Sequence, residues 1–430
     1  ESRSTSVRYR GRDLEEISQP VSSGGNVRAL VKGGWGFVSF NDPGDLREKV
    51  ELAVAHARHV GKGVTSFAST RPAVDVLNET AAKDCSVIPL AEKKRLVEEY
   101  NEIILGTPRV ETSVIAYRDR WRRVVFASSE GSYIEQSNSD LGLRVSAMAR
   151  EGGDVQQAGL SMGSRGDFGQ VEGLHGQVRE TALRAVELLS APRINSGEYW
   201  VVLDPILAGV FVHEAFGHLS EADFTYENDR MREIMVMGRR FGGDHLNIVD
   251  GAAVPGLRGS YRYDDEGVSA ARTHLVKEGV LVGRLHSRET AAKMAEPVTG
   301  NARAVGYHHP PIVRMTNTFI EPGQVSFQEM VGEIREGLYV KNWYGGTTSM
   351  EMFTFSAGEA YSIRNGRVAE LLRPVVLSGN IFTTLQNVDA IGDDLQMNQG
   401  GGCGKGGQSP LPVSNGSPHI RIRRCLIGGA

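Results

Sequence analysis

Within Val212-His213-Glu214-Ala215-Phe216-Gly217-His218, two imidazoles flank a carboxylate in one short stretch. Neutral imidazoles can hold a zinc ion, and a glutamate beside them can take a proton from a water on that ion. The spacing is His-Glu-x-x-x-His, one residue longer than the His-Glu-x-x-His of common zinc peptidases. In an ideal α-helix, residues i and i+5 lie about 140° apart around the axis, so the two rings would not share a face. A π-bulge or local unwinding near Gly217 would bring them together. A straight α-helix here would count against the site. The competing reading is a helix with two unrelated histidines, one packed and one exposed. The preceding Pro205–Phe211 is strongly apolar, so the segment enters a core. His and Glu buried there without partners would be costly.

A second feature is the glycine-rich run Gly400-Gly401-Gly402-Cys403-Gly404-Lys405-Gly406-Gly407. It fails as a phosphate-binding P-loop, because Gln399 and Gly406 stand where Gly and Ser/Thr are needed. Gly402, Gly404 and Gly407 match the dinucleotide spacing, but Pro410 and Pro412 prevent a helix from following. What remains is a cysteine on a glycine-rich loop, where Lys405 would favour the thiolate. Two histidines plus this cysteine would make three zinc ligands and leave a fourth position open. The plainer alternative is a flexible loop with an incidental cysteine. Gly159-Leu160-Ser161-Met162-Gly163 matches a serine-hydrolase elbow. A polar hairpin arm precedes it and Ser164-Arg165-Gly166-Asp167 follows, so the required strand-to-helix turn is missing. His308-His309 reads as surface, Asp264-Asp265-Glu266 and Asp393-Asp394 as solvated turns, and Cys85 and Cys425 as unpaired structural cysteines.

The elements that must position these residues fall into two halves. Val27–Val31 and Trp35–Phe40 read as a hairpin, followed by helices from Leu46 to about Val60 and over Ala91–Leu105. Between Val110 and Gly163 the apolar period changes to two. Val110–Tyr117, Arg122–Ser128, Ser132–Ser137, Leu141–Arg150 and Val155–Met162 read as a strand meander, and Val171–Ser190 as an amphipathic helix. The expected class is α+β: an antiparallel sheet with helices packed on one face. Ala191–Gly197 marks a boundary, giving expected domains of 1–195 and 196–430. The second opens with a strand at Glu198–Leu203 and a helix from Pro205 that Asp204 can cap. Beyond Asp244 come short strands, glycine-rich turns and one helix near Ser326–Tyr339. The reading is a β-rich barrel or sandwich-like domain carrying the His-Glu helix.

Composition narrows the function. Of 430 residues, 48 are Lys or Arg and 52 are Asp or Glu, a formal net charge of −4. An overall basic footprint for nucleic acid is absent. No apolar run approaches the ~18 residues of a membrane-spanning helix. Three cysteines fit a reducing cytoplasm rather than a disulfide framework. Glycine, at 52 residues, is well above a usual ~7% and implies many turns. The first residue is Glu rather than Met, and no signal peptide is visible.

Around His213-Glu214…His218 and Cys403-Gly404-Lys405, the chain resembles the TldD/PmbA family of metallopeptidases. The resemblance extends to Gly33-Gly34-Trp35-Gly36-Phe37, Asn41-Asp42, Thr299-Gly300-Asn301-Ala302-Arg303, Met315-Thr316-Asn317-Thr318, Ser378-Gly379-Asn380 and the closing Pro412-Val413…Pro418-His419-Ile420-Arg421-Ile422. It covers most of the chain; the opening helix and strand expected in the family are not seen before Ser2, which fits a trimmed start. The family has a catalytic type with the His-Glu-x-x-x-His helix and a companion type, TldE or PmbA, without it. This chain resembles the catalytic, TldD-like type. The resemblance implies one zinc per chain held by His213, His218 and Cys403, with Glu214 as general base. It also implies hydrolysis of short, unfolded or extended peptides. The expected assembly is a homodimer or a heterodimer with a TldE/PmbA-like companion, with no direct nucleic-acid or membrane partner and a cytoplasmic location. The alternative is a non-catalytic partner subunit with a structural metal or none.

Overall fold

The computed structural model describes residues 1–65 and 67–429. The first half is built on a sheet ordered Asp13–Ser18, Ser2–Arg10, Val110–Ala127, Tyr133–Glu151 and Val74–Asn78, with Asp154–Ser164 also paired to Tyr133–Glu151. The period-two pattern buries Ile115, Tyr117, Leu141, Leu143 and Val145 on one face. Helices Leu90–Leu105 and His175–Ser190 cover that face with Val97, Tyr100, Ile104, Val178, Ala182 and Ala185. The sequence suggests two strands on either side of Arg118–Trp121, but the structure has one continuous strand, Val110–Ala127. The charged stretch stays in the sheet because it pairs with Ser2–Ser6 on one side and Asn138–Gly142 on the other. For the same reason the two expected strands at 132–137 and 141–150 are one, Tyr133–Glu151. The helix expected from Val171 begins at His175, after a 3-10 turn at Phe168–Val171.

The second half contains a closed barrel of five strands. Gly197–Leu203 pairs in parallel with Glu336–Ser349, which continues antiparallel through Met352–Arg364, Val375–Asn380 and Ile420–Gly429. Ile420–Gly429 then pairs back onto Gly197–Leu203, so this ring has no free edge. A second sheet runs Val280–Leu281, Arg272–Lys277, Ile248–Gly251, Asn317–Ile320, Ser414–Ser417 and Gln396–Asn398. The helix expected over Ser326–Tyr339 ends at Gly332, because Gly337–Val340 is recruited into the barrel beside Trp200–Leu203. Helices at Arg288–Met294 and Ile381–Gln386 have no counterpart in the sequence reading.

The helix Pro205–Val212 leads from the first barrel strand toward the His-Glu motif. Asp204 caps it, accepting from the Leu207 N–H at 2.8 Å, and Pro205 occupies the first turn. Nearly every residue of the helix is buried, as expected for a helix apolar all round. It packs against both the barrel and the second sheet.

Candidate metal centre

The α-helix does not continue straight through the motif. His213–Gly217 forms a π-helical turn in which the His218 N–H donates to the His213 carbonyl, five residues back. A 3-10 turn, His218–Ser220, follows. The wider turn absorbs the extra residue of the His-Glu-x-x-x-His spacing. The two rings, about 140° apart on an ideal helix, come within 5.5 Å centroid to centroid. Gly217 is closely packed there: a Cβ would lie 2.0 Å from the Met315 sulfur.

Cys403 comes from the far end of the chain. The expected loop is a short hairpin, Gly402–Lys405 paired with Gln408–Pro412. Cys403 Sγ lies 3.4 Å from His218 Nε2. One ligand atom from each of His213, His218 and Cys403 falls within 4.8 Å of the others. Glu214 stays a third exposed, with a carboxylate oxygen 4.0 Å from His218 Nε2. The sequence motifs thus meet at one place, nearly two hundred residues apart in the chain.

The electrostatics favour a thiolate at Cys403. Burial alone would raise the Cys403 pKa, but the His213 charge and hydrogen bonds from His213 and His218 outweigh it and bring it down to about 4. The thiolate, which is the ligating form, therefore prevails at neutral pH. The other two cysteines behave oppositely: burial pushes Cys85 up and raises Cys425 to about 12. Lys405 does not act on the thiol as the sequence suggests. Its ammonium sits 3.1 Å from Glu221 and 2.6 Å from Asp223, and donates to the Val313 carbonyl at 3.0 Å.

Glu221 is the residue that the sequence reading passed over. Its side chain is 1% exposed and lies 3.1 Å from His218 Nδ1. It also accepts from the Met315 N–H at 3.2 Å. Burial would raise its pKa, yet the His218 and Lys405 charges and hydrogen bonds hold it at about 2. For His218, burial would lower the pKa, and Glu221 and Cys403 outweigh it and raise it well above the ordinary value. A carboxylate on Nδ1 fixes the ring orientation and leaves Nε2 facing Cys403. The signal available in the sequence was position: Glu221 stands three residues after His218, on the same side of a helical turn.

The cluster is incomplete in hydrogen-bond terms. His213 Nδ1 is buried with no partner among the described residues, a state that costs about 1–3 kcal/mol. Two imidazoles and a thiolate are a zinc-type donor set, so the residues present fit zinc. Other sequence candidates lie elsewhere. Ser161 sits inside the strand Asp154–Ser164 and donates to the Gly400 carbonyl at 2.8 Å. Its flanking Gly163 permits close approach of the segment that leads to Cys403, since a Cβ there would meet the Gln399 carbonyl at 2.0 Å. The expected solvated turn at Asp264-Asp265-Glu266 is largely buried: Asp264 accepts three backbone N–H groups and Glu266 pairs with Arg28 at 2.9 Å.

Comparison with known proteins identifies the family. Residues 1–57, 83–189 and 196–429 match the first, central and C-terminal domains of the PmbA/TldA metallopeptidases. A metalloprotease of Synechocystis sp. is 49% identical over all of this chain and 93% of its own length. A zinc metalloprotease TldD homolog of Saccharolobus solfataricus is 29% identical, covering 97% of this chain and 92% of its own. Among solved structures, TldE from Thermococcus kodakarensis superposes with a TM-score of 0.75 at 16% identity, covering 100% of this chain and 95% of that one. The chain belongs to the PmbA/TldD metallopeptidase family and is a metalloprotease of the TldD kind.

Proposed function

We propose that this family member is a zinc peptidase acting on short or unfolded polypeptides, with one zinc per chain held by His213, His218 and Cys403. The observation that carries the reading is the convergence of those three side chains within 4.8 Å, with the Glu214 carboxylate 4.0 Å from His218 Nε2. The chemistry zinc supplies when bound is Lewis acidity toward a scissile carbonyl and toward water. Glu214, partly open to solvent, takes the proton from the attacking water and delivers it to the leaving amide nitrogen. Glu221 and Lys405 hold His218 in register and do not touch the reacting atoms.

An extended substrate has a natural partner in the strand Gly402–Lys405. It pairs on one edge with Gln408–Pro412 and on the other with no strand among the described residues. Backbone pairing there would be tolerant of side-chain sequence. We further propose domains of 1–195 and 196–430, a cytoplasmic location, and assembly as a homodimer or with a TldE-like companion. The domain division is supported by the family matches, which break between 189 and 196. No helix among the described residues is long and apolar enough to cross a membrane.

The test is Glu214→Gln. The variant should retain zinc like the wild type and lose roughly 10²–10⁴-fold in peptide cleavage. Undiminished cleavage would remove Glu214 from the proposed role.

A further inference from the structure

Where the N-terminal sheet meets the C-terminal half there is a polar cavity of about 70 Å³. Its wall carries five arginines and three aspartates. Arg165 turns away to pair with Glu79. Asp264 is spent on the backbone N–H groups of Glu266, Val268 and Ala302. Burial and the neighbouring Glu266 charge also hold its pKa well above the carboxylate range. Among the lining carboxylates, that leaves Asp140 and Asp265 to face Arg120, Arg122, Arg258 and Arg303.

Two of these four are well satisfied. Arg258 donates to Asp140 at 2.9 Å and to the Gln399 and Gly401 carbonyls at 3.2 and 2.6 Å. Arg303 donates to the Met315 and Pro412 carbonyls, both at 2.7 Å. Arg120 and Arg122 are not. They alternate on one strand and so point from the same face. Arg120 reaches the Val305 carbonyl at 3.4 Å and Asp140 at 3.7 Å; Arg122 reaches Asp265 at 3.4 Å. Both side chains are about three-quarters buried, at 26% and 24% exposure. A guanidinium has five N–H donors to place, and these two place few. Burial is the main pull lowering the Arg120 pKa; Asp140 opposes it, and the Arg122, Arg258 and Arg303 charges add to the lowering.

We propose that this cavity binds one small oxyanion, a carboxylate or phosphate group, between the guanidiniums of Arg120 and Arg122. Planar bidentate donors are suited to such groups. The cavity volume is about that of two liquid waters, which admits one such group. Sites of this kind are favoured where two structural units meet. The position ties the anion to the metal centre. Leu411 and Pro412 line the cavity, and Leu411 is the register partner of Cys403 across the hairpin. Arg258 holds the two carbonyls just before that hairpin. An anion that neutralises the arginine cluster therefore steadies the strand pair that presents Cys403.

The anion has two possible sources, the C-terminal carboxylate of a peptide or free inorganic phosphate. The experiment measures thermal unfolding of the zinc-loaded protein at constant ionic strength. Inorganic phosphate, or a short peptide as free acid and as C-terminal amide, replaces chloride. At about 10 mM ligand the wild type should gain about 1–2 °C from phosphate. Arg120→Gln/Arg122→Gln should gain nothing. If the double variant fails to fold, Arg122→Gln alone serves, since its one polar side-chain contact among the described residues is long. A peptide acid that gives the arginine-dependent gain while its amide does not identifies the substrate terminus; phosphate alone doing so identifies the free anion. Equal gains in wild type and variant, or no gain from either ligand, overturn the proposal. The peptide arm leans on the proposed function. The readout is unfolding rather than cleavage, so failure of the peptidase reading would be seen separately, in Glu214→Gln.

Discussion

The two halves of the molecule each bury a charged cluster, and the clusters are finished to different degrees. In the N-terminal half, Lys93 on the helix Leu90–Leu105 meets Asp119 on the strand Val110–Ala127 at 2.6 Å, with both side chains almost fully buried. Lys93 also donates to the Thr5 hydroxyl at 3.2 Å, and the Tyr117 hydroxyl donates to Asp119 at 2.6 Å. The charges there answer each other and the neighbouring polar atoms complete the shell. In the C-terminal half, His213, His218 and Cys403 crowd together while His213 Nδ1 has no partner among the described residues. Burying charge is costly in both places. A closed pair fastens a helix to a sheet. An open cluster of soft donors beside a solvent-reaching carboxylate is organised for something that arrives from outside.

The sharpest way to break this contrast is to remove the thiolate. Cys403→Ser should weaken zinc binding on the order of 10³-fold, because a hydroxyl is a poor substitute for thiolate on zinc. Cys425→Ser, at a cysteine whose pKa burial raises to about 12, should leave zinc retention unchanged. Zinc content after chelator challenge checks both. Equal retention in all three proteins would mean that Cys403 is no ligand.

A second test addresses the closed pair. Lys93→Met leaves Asp119 buried and uncompensated, and should cost about 3–5 kcal/mol of stability. Zinc stoichiometry of the folded fraction should not change. Lys93→Met/Asp119→Leu removes both charges and should recover much of the loss, because apolar replacement of a whole pair is often neutral. Denaturant unfolding of the two variants decides it. A Lys93→Met protein that also sheds zinc would show that the halves are coupled more closely than their separate clusters imply.

Much of the candidate metal centre is legible in the sequence because helical geometry is local. The 140° offset of His213 and His218 on an ideal helix means that the two rings can meet only through a wider or unwound turn near Gly217, and the structure has a π-turn at His213–Gly217. Cys403 came into view through donor chemistry and family resemblance; nothing in its local spacing points to a helix 185 residues away. The sequence leaves barrel and sandwich open for the β-rich half, since closure depends on Trp200–Leu203 finding Gly337–Val340 in parallel, a pairing without local signature. The strand Val110–Ala127 reads as broken at Arg118–Trp121, and Tyr133–Glu151 as broken at Asn138–Asp140, because polar residues interrupt the apolar alternation. The partners on both flanks that keep such residues extended are distant in sequence. The role given to Lys405 failed for a related reason: closeness in sequence to Cys403 said nothing of Glu221, which claims the ammonium instead.

The smallest expected effect asks where the open cluster ends. Glu221 resembles the closed pair in being buried and fully engaged, with His218 Nδ1 and the Lys405 ammonium each 3.1 Å away. It also touches the candidate metal centre, where its contact with Nδ1 leaves His218 Nε2 facing Cys403. Glu221→Gln keeps the shape and an acceptor for Nδ1 while removing the charge, so His218 stays oriented but becomes a weaker donor. Zinc affinity should fall about 10–100-fold, the range for partners that orient metal-bound histidines, and folding should survive. Chelator competition at neutral pH measures the affinity, and thermal unfolding of the zinc-free protein measures the structural share. If the zinc-free variant is destabilised while its affinity matches the wild type, Glu221 belongs with Lys93 and Asp119 as a fastening of the fold. If affinity falls with little change in unfolding, the metal centre extends through Glu221 to Lys405, and the hairpin that carries Cys403 is anchored by the same carboxylate that orients His218.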